Sequence, residues 1–275
     1  MSAMEDQSAA SGRRARRPRR VARRPEVPHM LHVALGATGV FAVLGLWEAL
    51  AQAGMIDVAF TSSPLMILAR TITLVESGVL LPALWSTTKL FAVGFAVALV
   101  LGLSFGILIG WFRLARAVVN PWVSILYAAP RIAFIPLIVV WAGAGFKAQV
   151  VIIVLNAMFP ILVNAMAGVD AVDRQLFRMA QSFGASNADV LRTVALPGAL
   201  PVLVAGVRNG MMTALLGTVV AEYFVGLTGI GGMIFNAGLI LDSTTALVGA
   251  TIFALAAMAL SALLSLAQAR IDRWR

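Results

Sequence analysis

Long apolar runs separated by short polar intervals leave this chain few ways to fold. A helix needs roughly 20 apolar residues to cross a hydrocarbon layer, and a backbone inside that layer must satisfy its own hydrogen bonds. Hydrophobic residues make up 60% of the 275 residues and charged residues 12%, against about 25% charged in soluble domains. We predict an all-α membrane protein with six spans, at residues 30–52, 86–112, 118–142, 146–168, 201–225 and 243–268.

Basic residues mark alternate ends of these spans. Eight arginines lie between Arg13 and Arg24 and account for eight of the nine net positive charges. Further arginines lie after spans two, four and six, whereas the opposite intervals hold few basic residues. Because cytoplasmic loops carry an excess of Lys and Arg, both termini are predicted in the cytoplasm. Residues 1–28 have almost no large apolar side chains and are predicted to form a disordered tail, which leaves 29–275 as the membrane domain.

A polar interval at about residues 170–200 separates spans four and five. Its apolar residues recur at helical spacing, which predicts two short amphipathic helices. Gly184 stands between them, where the chain reversal needs a positive φ or a close approach. Ser186 or Asn187 is the predicted cap of the second helix. Such a segment either lies on the lipid headgroups or docks onto a soluble partner.

The second half of this interval resembles the EAA loop of permease subunits of binding-protein-dependent ABC importers. That loop reads Glu-Ala-Ala, three residues, Gly, nine residues, a branched apolar residue, any residue and Leu-Pro. Here Val194-x-Leu196-Pro197 follows Gly184 at that spacing, while the triplet is Arg178-Met179-Ala180, of which only the last residue matches. The sequence around this motif is most similar to that of the nitrate/sulfonate/taurine-type branch. Leu196-Pro197 is also expected to end the second helix.

The resemblance implies a MetI-like importer-permease fold in the bacterial cell (inner) membrane, with the 170–200 interval as a cytoplasmic coupling loop. It implies an ATP-driven importer subunit that translocates a small solute, such as a nitrate-, sulfonate- or taurine-like anion. The implied partners are a cytoplasmic ABC ATPase dimer, an extracytoplasmic solute-binding protein, a second permease copy (as a homodimer, or a close relative in a heterodimer) and membrane lipid, but no nucleic acid. The residues expected to couple to the ATPase are Arg178, Ala180, Phe183, Gly184, Ala185, Ser186, Asp189, Leu196 and Pro197.

Motifs for catalysis are not found in the sequence. A P-loop needs Gly-x4-Gly-Lys-Ser/Thr, but neither of the two lysines, Lys89 and Lys147, follows a glycine. His29 and His32 lie at the start of the first span, where membrane-interface placement is favoured over a metal site. We expect no catalytic residue, cofactor or metal, and ATP hydrolysis on a separate subunit. The alternative, an ATP-independent secondary transporter or channel, gives no reason for the Gly184-to-Leu-Pro spacing; a third class is a purely structural scaffold.

Span three contains an arginine between two prolines. Pro130 and Pro136 predict a broken helix, which is tolerated at depth only inside protein or beside a cavity. Arg131 either lines the solute pathway and attracts an anion, or reaches an interface or the carbonyls of a helix end.

Span four carries its polar residues on one face. Gln149, Asn156 and Asn164 fall within about 80° of each other at 100° per residue, so this face meets protein or water rather than lipid. Pathway lining and interhelical hydrogen bonding are equally consistent with it. Together with Arg131, Asn156 and Asn164 are the candidate pathway residues.

Small residues and turns complete the predictions. Gly102, Gly106 and Gly110, spaced by four in span two, predict close packing of two helices, in one chain or between copies. The segment Gly226–Gly232 is expected to be a tight reversal or re-entrant turn on the outer side. Glu222 is expected at the outer end of span five without an acidic partner. Residues 65–75 are predicted to form a short helix on the outer surface.

Overall fold

The computed structural model describes residues 29–226 and 228–272, and in this part all regular structure is helical. The α-helices are α1 (His29–Gln52), α2 (Val58–Thr61), α3 (Pro64–Glu76), α4 (Leu80–Trp111), α5 (Arg113–Ala128), α6 (Ile135–Ala142), α7 (Phe146–Asp170), α8 (Arg174–Ser182), α9 (Asn187–Val190), α10 (Leu196–Ala221), α11 (Gly229–Leu239) and α12 (Ser243–Asp272). A 3-10 turn (Arg131–Phe134) precedes α6, and π-helical turns (Leu191–Ala195 and Glu222–Gly226) flank α10. The predicted tail, 1–28, lies outside the described residues.

The chain divides after Leu46 into two units. In the first unit, the described residues 29–46 belong to α1. The second unit runs from Trp47 onward and contains every site considered below.

Within the described residues, five helical stretches are long and apolar enough to cross a membrane. These stretches are Leu35–Gln52, Leu80–Trp111, Phe146–Asp170, Asn187–Gly226 and Ser243–Leu266. The bent pair α5–α6 gives a sixth if it is counted as one span, and its helices meet at 88°. The predicted all-α architecture of about six membrane helices is therefore confirmed.

The break in span three follows from its prolines, as predicted. A residue that precedes proline is driven out of the helical conformation, and Ala129, before Pro130, has an extended backbone (φ −64°, ψ 139°) that ends α5. Pro136 stands in the first turn of α6, where its missing N–H costs no helical hydrogen bond.

Helix α7 is packed between α4 and α10 through rows of glycines. A Cβ atom at Gly106 of α4 would lie 2.6 Å from Ala165 Cβ and 2.7 Å from the Leu162 carbonyl oxygen, both on α7. On the other side, a Cβ at Gly206 of α10 would lie 2.5 Å from Asn164 Cβ. Gly102 and Gly110 face α7 in the same way as Gly106. The glycine row of span two therefore meets a helix of its own chain, which the sequence left open.

The helix expected on the outer surface is α3, and it is tied to the start of α12. Ser63 caps α3 by accepting from Met66 N. Arg70 Nε donates to Thr245 Oγ1 at 2.8 Å, and Arg70 Nη2 lies 3.3 Å from Asp242 Oδ2. Burial opposes ionisation of the Asp242 carboxyl, but hydrogen bonds from Thr245 and the charge of Arg70 outweigh it and hold the pKa of Asp242 below its ordinary value.

This lowered pKa predicts an acid-sensitive tie between α3 and α12. A carboxyl whose pKa is lower in the folded state stabilises the fold above its unfolded pKa, about 3.9, and loses that contribution as pH falls through the folded value. We expect Asp242→Asn to lower the midpoint of thermal unfolding in detergent at pH 7. The difference from the unmodified chain should shrink below about pH 4. Equal differences at both pH values would contradict this assignment.

The expectation that Leu196-Pro197 ends a helix is wrong. The π-helical turn Leu191–Ala195 stands directly before the proline, and Leu196 N bonds to the carbonyl five residues back, at Leu191. A proline inside a regular helix would break the hydrogen-bond ladder. The wider π-helical turn accommodates Pro197, so the helix continues past it. The buried face also continues through this point, since Val190 and Ala199 belong to one apolar cluster. The loop's second helix and span five are therefore one continuous helix.

The expectation of a tight reversal over Gly226–Gly232 is wrong in its second half, while the re-entrant alternative stays a prediction. Helix α11 begins at Gly229, so Gly231 and Gly232 are helical and buried. With 11 residues, α11 is too short to span a bilayer. Its N-terminus is held by the side chains of Glu222 and the distant Thr87, described below, which the local glycine pattern could not reveal.

Candidate functional site

The predicted coupling loop, residues 170–200, forms a helix–turn–helix whose caps and turn are signalled by its own sequence. Asp173 caps α8 by accepting from Gln175 N at 2.8 Å. The chain reverses at Gly184, whose φ of +88° favours glycine, and nothing lies within 4 Å of the position that a Cβ would take. Ser186 is the cap of α9, in a reciprocal capping box with Asp189. These caps satisfy the first backbone N–H groups of both short helices, while Phe177 and Val190 pack into an apolar cluster with residues of the spans.

The two faces of α8 differ sharply. Phe177 is buried and its ring lies 5.6 Å from that of Trp111, the last residue of α4. On the opposite side Leu176 and Met179 are exposed, and at the turn Phe183 is 86% exposed. The loop therefore presents an apolar tip at its turn. An aromatic side chain in such a place is a favourable anchor for a partner.

The predicted coupling residues fall into two groups. Those at or near the tip are Arg178, Ala180, Phe183, Gly184, Ala185, Ser186 and Asp189, exposed except for the half-buried alanines. Leu196 and Pro197 lie beyond the π-helical turn, in the first turn of α10. Arg178, which stands where the motif has Glu, is exposed and has no ion-pair partner among the described residues.

Arg131 lies in the bend between α5 and α6. Its Nη2 donates to the Tyr127 carbonyl oxygen at 2.8 Å, in the last turn of α5, where a cation also complements the helix dipole. The guanidinium carbon lies 5.2 Å from the Tyr127 ring centre and 5.8 Å from that of Phe159 on α7. This geometry matches the alternative in which Arg131 binds helix carbonyls; its pathway role stays a prediction.

Asn156 and Asn164 face α10 but bond within their own helix. Each Nδ2 donates at 2.8 Å to the carbonyl four residues earlier, at Ile152 and Pro160. Their Cβ atoms lie against the glycine row of α10. Neither of these hydrogen bonds joins two helices, so the amides do not act here as interhelical ties.

A buried carboxylate at the end of α10 was missed as a site. Glu222 is 0% exposed and accepts from Thr87 Oγ1 at 2.8 and 3.0 Å and from Gly231 N at 2.8 Å. Thr87 Oγ1 in turn accepts from Ile230 N at 2.9 Å. Two backbone donors of the first turn of α11 are thus capped by side chains from α4 and the π-helical turn.

The glycines around this carboxylate make room for it. A Cβ at Gly229, whose φ is +68°, would clash with Glu222 Oε1. The signal available in the sequence was the acid itself, because an ionisable residue in a span is a site hypothesis by default. Its partner Thr87 stands 135 residues earlier, which no local pattern can reveal.

Comparisons with known proteins agree on one class. A family model described as "Binding-protein-dependent transport system inner membrane component" matches residues 98–275. The chain is 31% identical over 253 residues to the taurine transport system permease protein TauC of Escherichia coli (strain K12), covering 90% of this chain and 92% of that protein. It is 28% identical over 233 residues to the putative aliphatic sulfonates transport permease protein SsuC of Bacillus subtilis (strain 168), covering 85% and 84%.

A solved structure shares the fold. A chain of the MetNI methionine ABC transporter, in inward-facing conformations, matches with a TM-score of 0.64 at 21% identity. The match covers 71% of this chain and 97% of that chain.

Proposed function

Because the chain belongs to the family of binding-protein-dependent transport system inner membrane components, we propose that it carries a sulfonate or related small anion inward, powered by a separate ATPase. As an importer permease of the nitrate/sulfonate/taurine branch it is a transport subunit. The alternative of an ATP-independent transporter or channel is not favoured. Taurine and aliphatic sulfonates, named for the relatives, share the sulfonate group, and this common chemistry supports the substrate class.

The proposed contact with the ATPase is supported by one observation, the exposed tip of the coupling loop. Phe183 is 86% exposed at a turn fixed by Gly184 and the Ser186–Asp189 capping box. An apolar side chain on a rigid turn suits insertion into a groove of a soluble partner. In this proposal residues 183–189 bear on the ATPase, and Leu196 and Pro197 pass the motion into α10.

The family and the charge pattern support the rest of the proposed assembly. A second copy of the chain completes the pathway, a binding protein delivers the solute outside, and both termini lie in the cytoplasm with the coupling loop. Membrane lipid covers the remaining apolar faces. Arg131, Asn156 and Asn164 are proposed to line the pathway, supported by their polarity within spans. ATP-driven closure of two ATPases would open the spans outward, and hydrolysis would return them inward.

Affinity purification of the tagged chain from native membranes tests the ATPase contact. The ATPase should co-purify with the unmodified chain, and Gly184→Trp should reduce its recovery by roughly tenfold, because a side chain at positive φ costs about 1–2 kcal/mol and projects from the docking tip. The matched control is Gly54→Trp, at another glycine of positive φ (+68°) with open space around it. It should keep the ATPase.

Two results would overturn the proposal. If no ATPase co-purifies with the unmodified chain, the chain is not the permease of an ATP-driven importer complex. Equal recovery with the two tryptophan variants would remove the docking role of the 183–189 turn. For the substrate, uptake of taurine and short alkanesulfonates should exceed uptake of solutes of similar size that lack a sulfonate group.

A further inference from the structure

One carboxylate joins three helices at the base of the coupling loop. Asp170 is the last residue of α7, and both of its oxygens contact the Arg116 guanidinium of α5. Arg174, in the first turn of α8, lies 3.6 Å from Asp170 Oδ1. The two-pronged contact between Arg116 and Asp170 fixes direction as well as distance. The carboxylate therefore links the first coupling helix to the start of the bent span.

Helix α5 has few other attachments. Of its 16 residues only Val123 is buried, and its far end leads directly into the 88° bend that holds Arg131. The coupling helix also reaches this corner through an apolar contact, since the Phe177 ring packs on Trp111, two residues before α5 begins. Both contacts place α8 against the same corner between α4 and α5.

The ion pair contributes little to folding. The Arg116 and Asp170 side chains are 22% and 47% exposed, and such exposed pairs stabilise a fold by only about 0–1 kcal/mol. Removing the pair should therefore leave the chain folded. What the pair determines is the position of a loosely packed helix relative to the coupling loop.

We propose that Asp170 is a positioning residue of the transport cycle. Through Arg174 and Arg116 it makes α5 follow α8, so that movement of the coupling loop reaches the bent pair α5–α6 and the Arg131 region. This inference rests on the proposed function, because it requires an ATPase that moves the loop. It adds a route by which that movement enters the spans, separate from the continuous helix α9–α10.

Reconstitution tests the link. The variants Arg116→Ala, Asp170→Ala and the double variant are assembled with the ATPase and binding protein in proteoliposomes, and ATP hydrolysis and solute uptake are measured together. We expect ATPase recovery and hydrolysis to stay within roughly twofold of the unmodified complex, and uptake per ATP to fall about 5–10-fold. Because both residues act through one contact, the double variant should be no worse than either single variant.

The matched control is Arg113→Ala. Arg113 is an exposed arginine in the same first turn of α5, so its removal changes the charge without removing the contact. It should retain the unmodified ratio of uptake to hydrolysis. The proposal is overturned if the single effects multiply in the double variant, if Arg113→Ala matches Arg116→Ala, or if uptake and hydrolysis fall together. Failure of the unmodified chain to bind an ATPase would instead overturn the proposed function and this inference with it.

Discussion

Gly106→Leu is expected to prevent the chain from reaching its folded state in the membrane. A Cβ at Gly106 would lie 2.6 Å from Ala165 Cβ, 2.7 Å from the Leu162 carbonyl oxygen and 3.1 Å from Leu162 Cα. Two of these three neighbours are backbone atoms, so the clash cannot be relieved by a rotamer change. Only separation of α4 from α7 would relieve it, and that would open the close contacts at Gly102 and Gly110 as well.

The cost should lie at or above the upper end of the roughly 1–3 kcal/mol typical of overpacked cores. Size-exclusion profiles and thermal midpoints in mild detergent measure it, as loss of the monodisperse peak and a lowered midpoint. Gly238→Leu is the control, because Gly238 of α11 has nothing within 4 Å of its Cβ position. If the two variants behave alike, the close approach of α4 and α7 is not what the glycine row serves.

Glu222→Ala is expected to cost roughly 3–5 kcal/mol of stability. The truncation removes the acceptor of the Thr87 hydroxyl and the Gly231 N–H, and each buried donor left without a partner costs about 1–3 kcal/mol. A cavity in a fully buried site adds to this cost. Glu222→Gln should be milder, since its carbonyl still accepts from Gly231 N.

Thermal unfolding in detergent measures this order. Thr87→Val removes a donor to Glu222 and the acceptor of Ile230 N, and its effect combined with Glu222→Ala should be less than additive, because the two share one network. Glu76→Ala, at the exposed end of α3, is the control and should be nearly neutral. A Glu222→Ala variant as stable as the control would show that the carboxylate does not hold α11.

Much of the fold follows from local signals. Pro130 and Pro136 gave the break in span three, and Gly184 with Ser186 gave the loop turn, because each acts on the backbone within a few residues. The prediction from Pro197 was wrong, because it considered only the effect of the proline on neighbouring residues. Its local effect is to end a helix, but the π-helical turn before it and the buried face around it keep the helix continuous.

Contacts between residues that are far apart in the chain could not be predicted from one sequence. The partner of the span-two glycines could be a second copy or the same chain, and only the structure assigns Gly106 to α7. Glu222 was noticed as an acid in a span, but the threonine that makes it a site is 135 residues away. The polar face of α7 was predicted to meet protein or water, and Asn156 and Asn164 do face α10. That their amides bond to their own helix could not be read from the sequence.

Those self-bonded amides bear on how the chain is inserted during synthesis. Helix α7 leaves the ribosome after α4 but before α10, so its α10-facing side first meets lipid or the insertion machinery. Because Asn156 and Asn164 each donate to a carbonyl of α7 itself, less unsatisfied polar surface is exposed while α10 is being made. The α4–α7 pair can therefore form before the 170–200 interval and α10 have been synthesised.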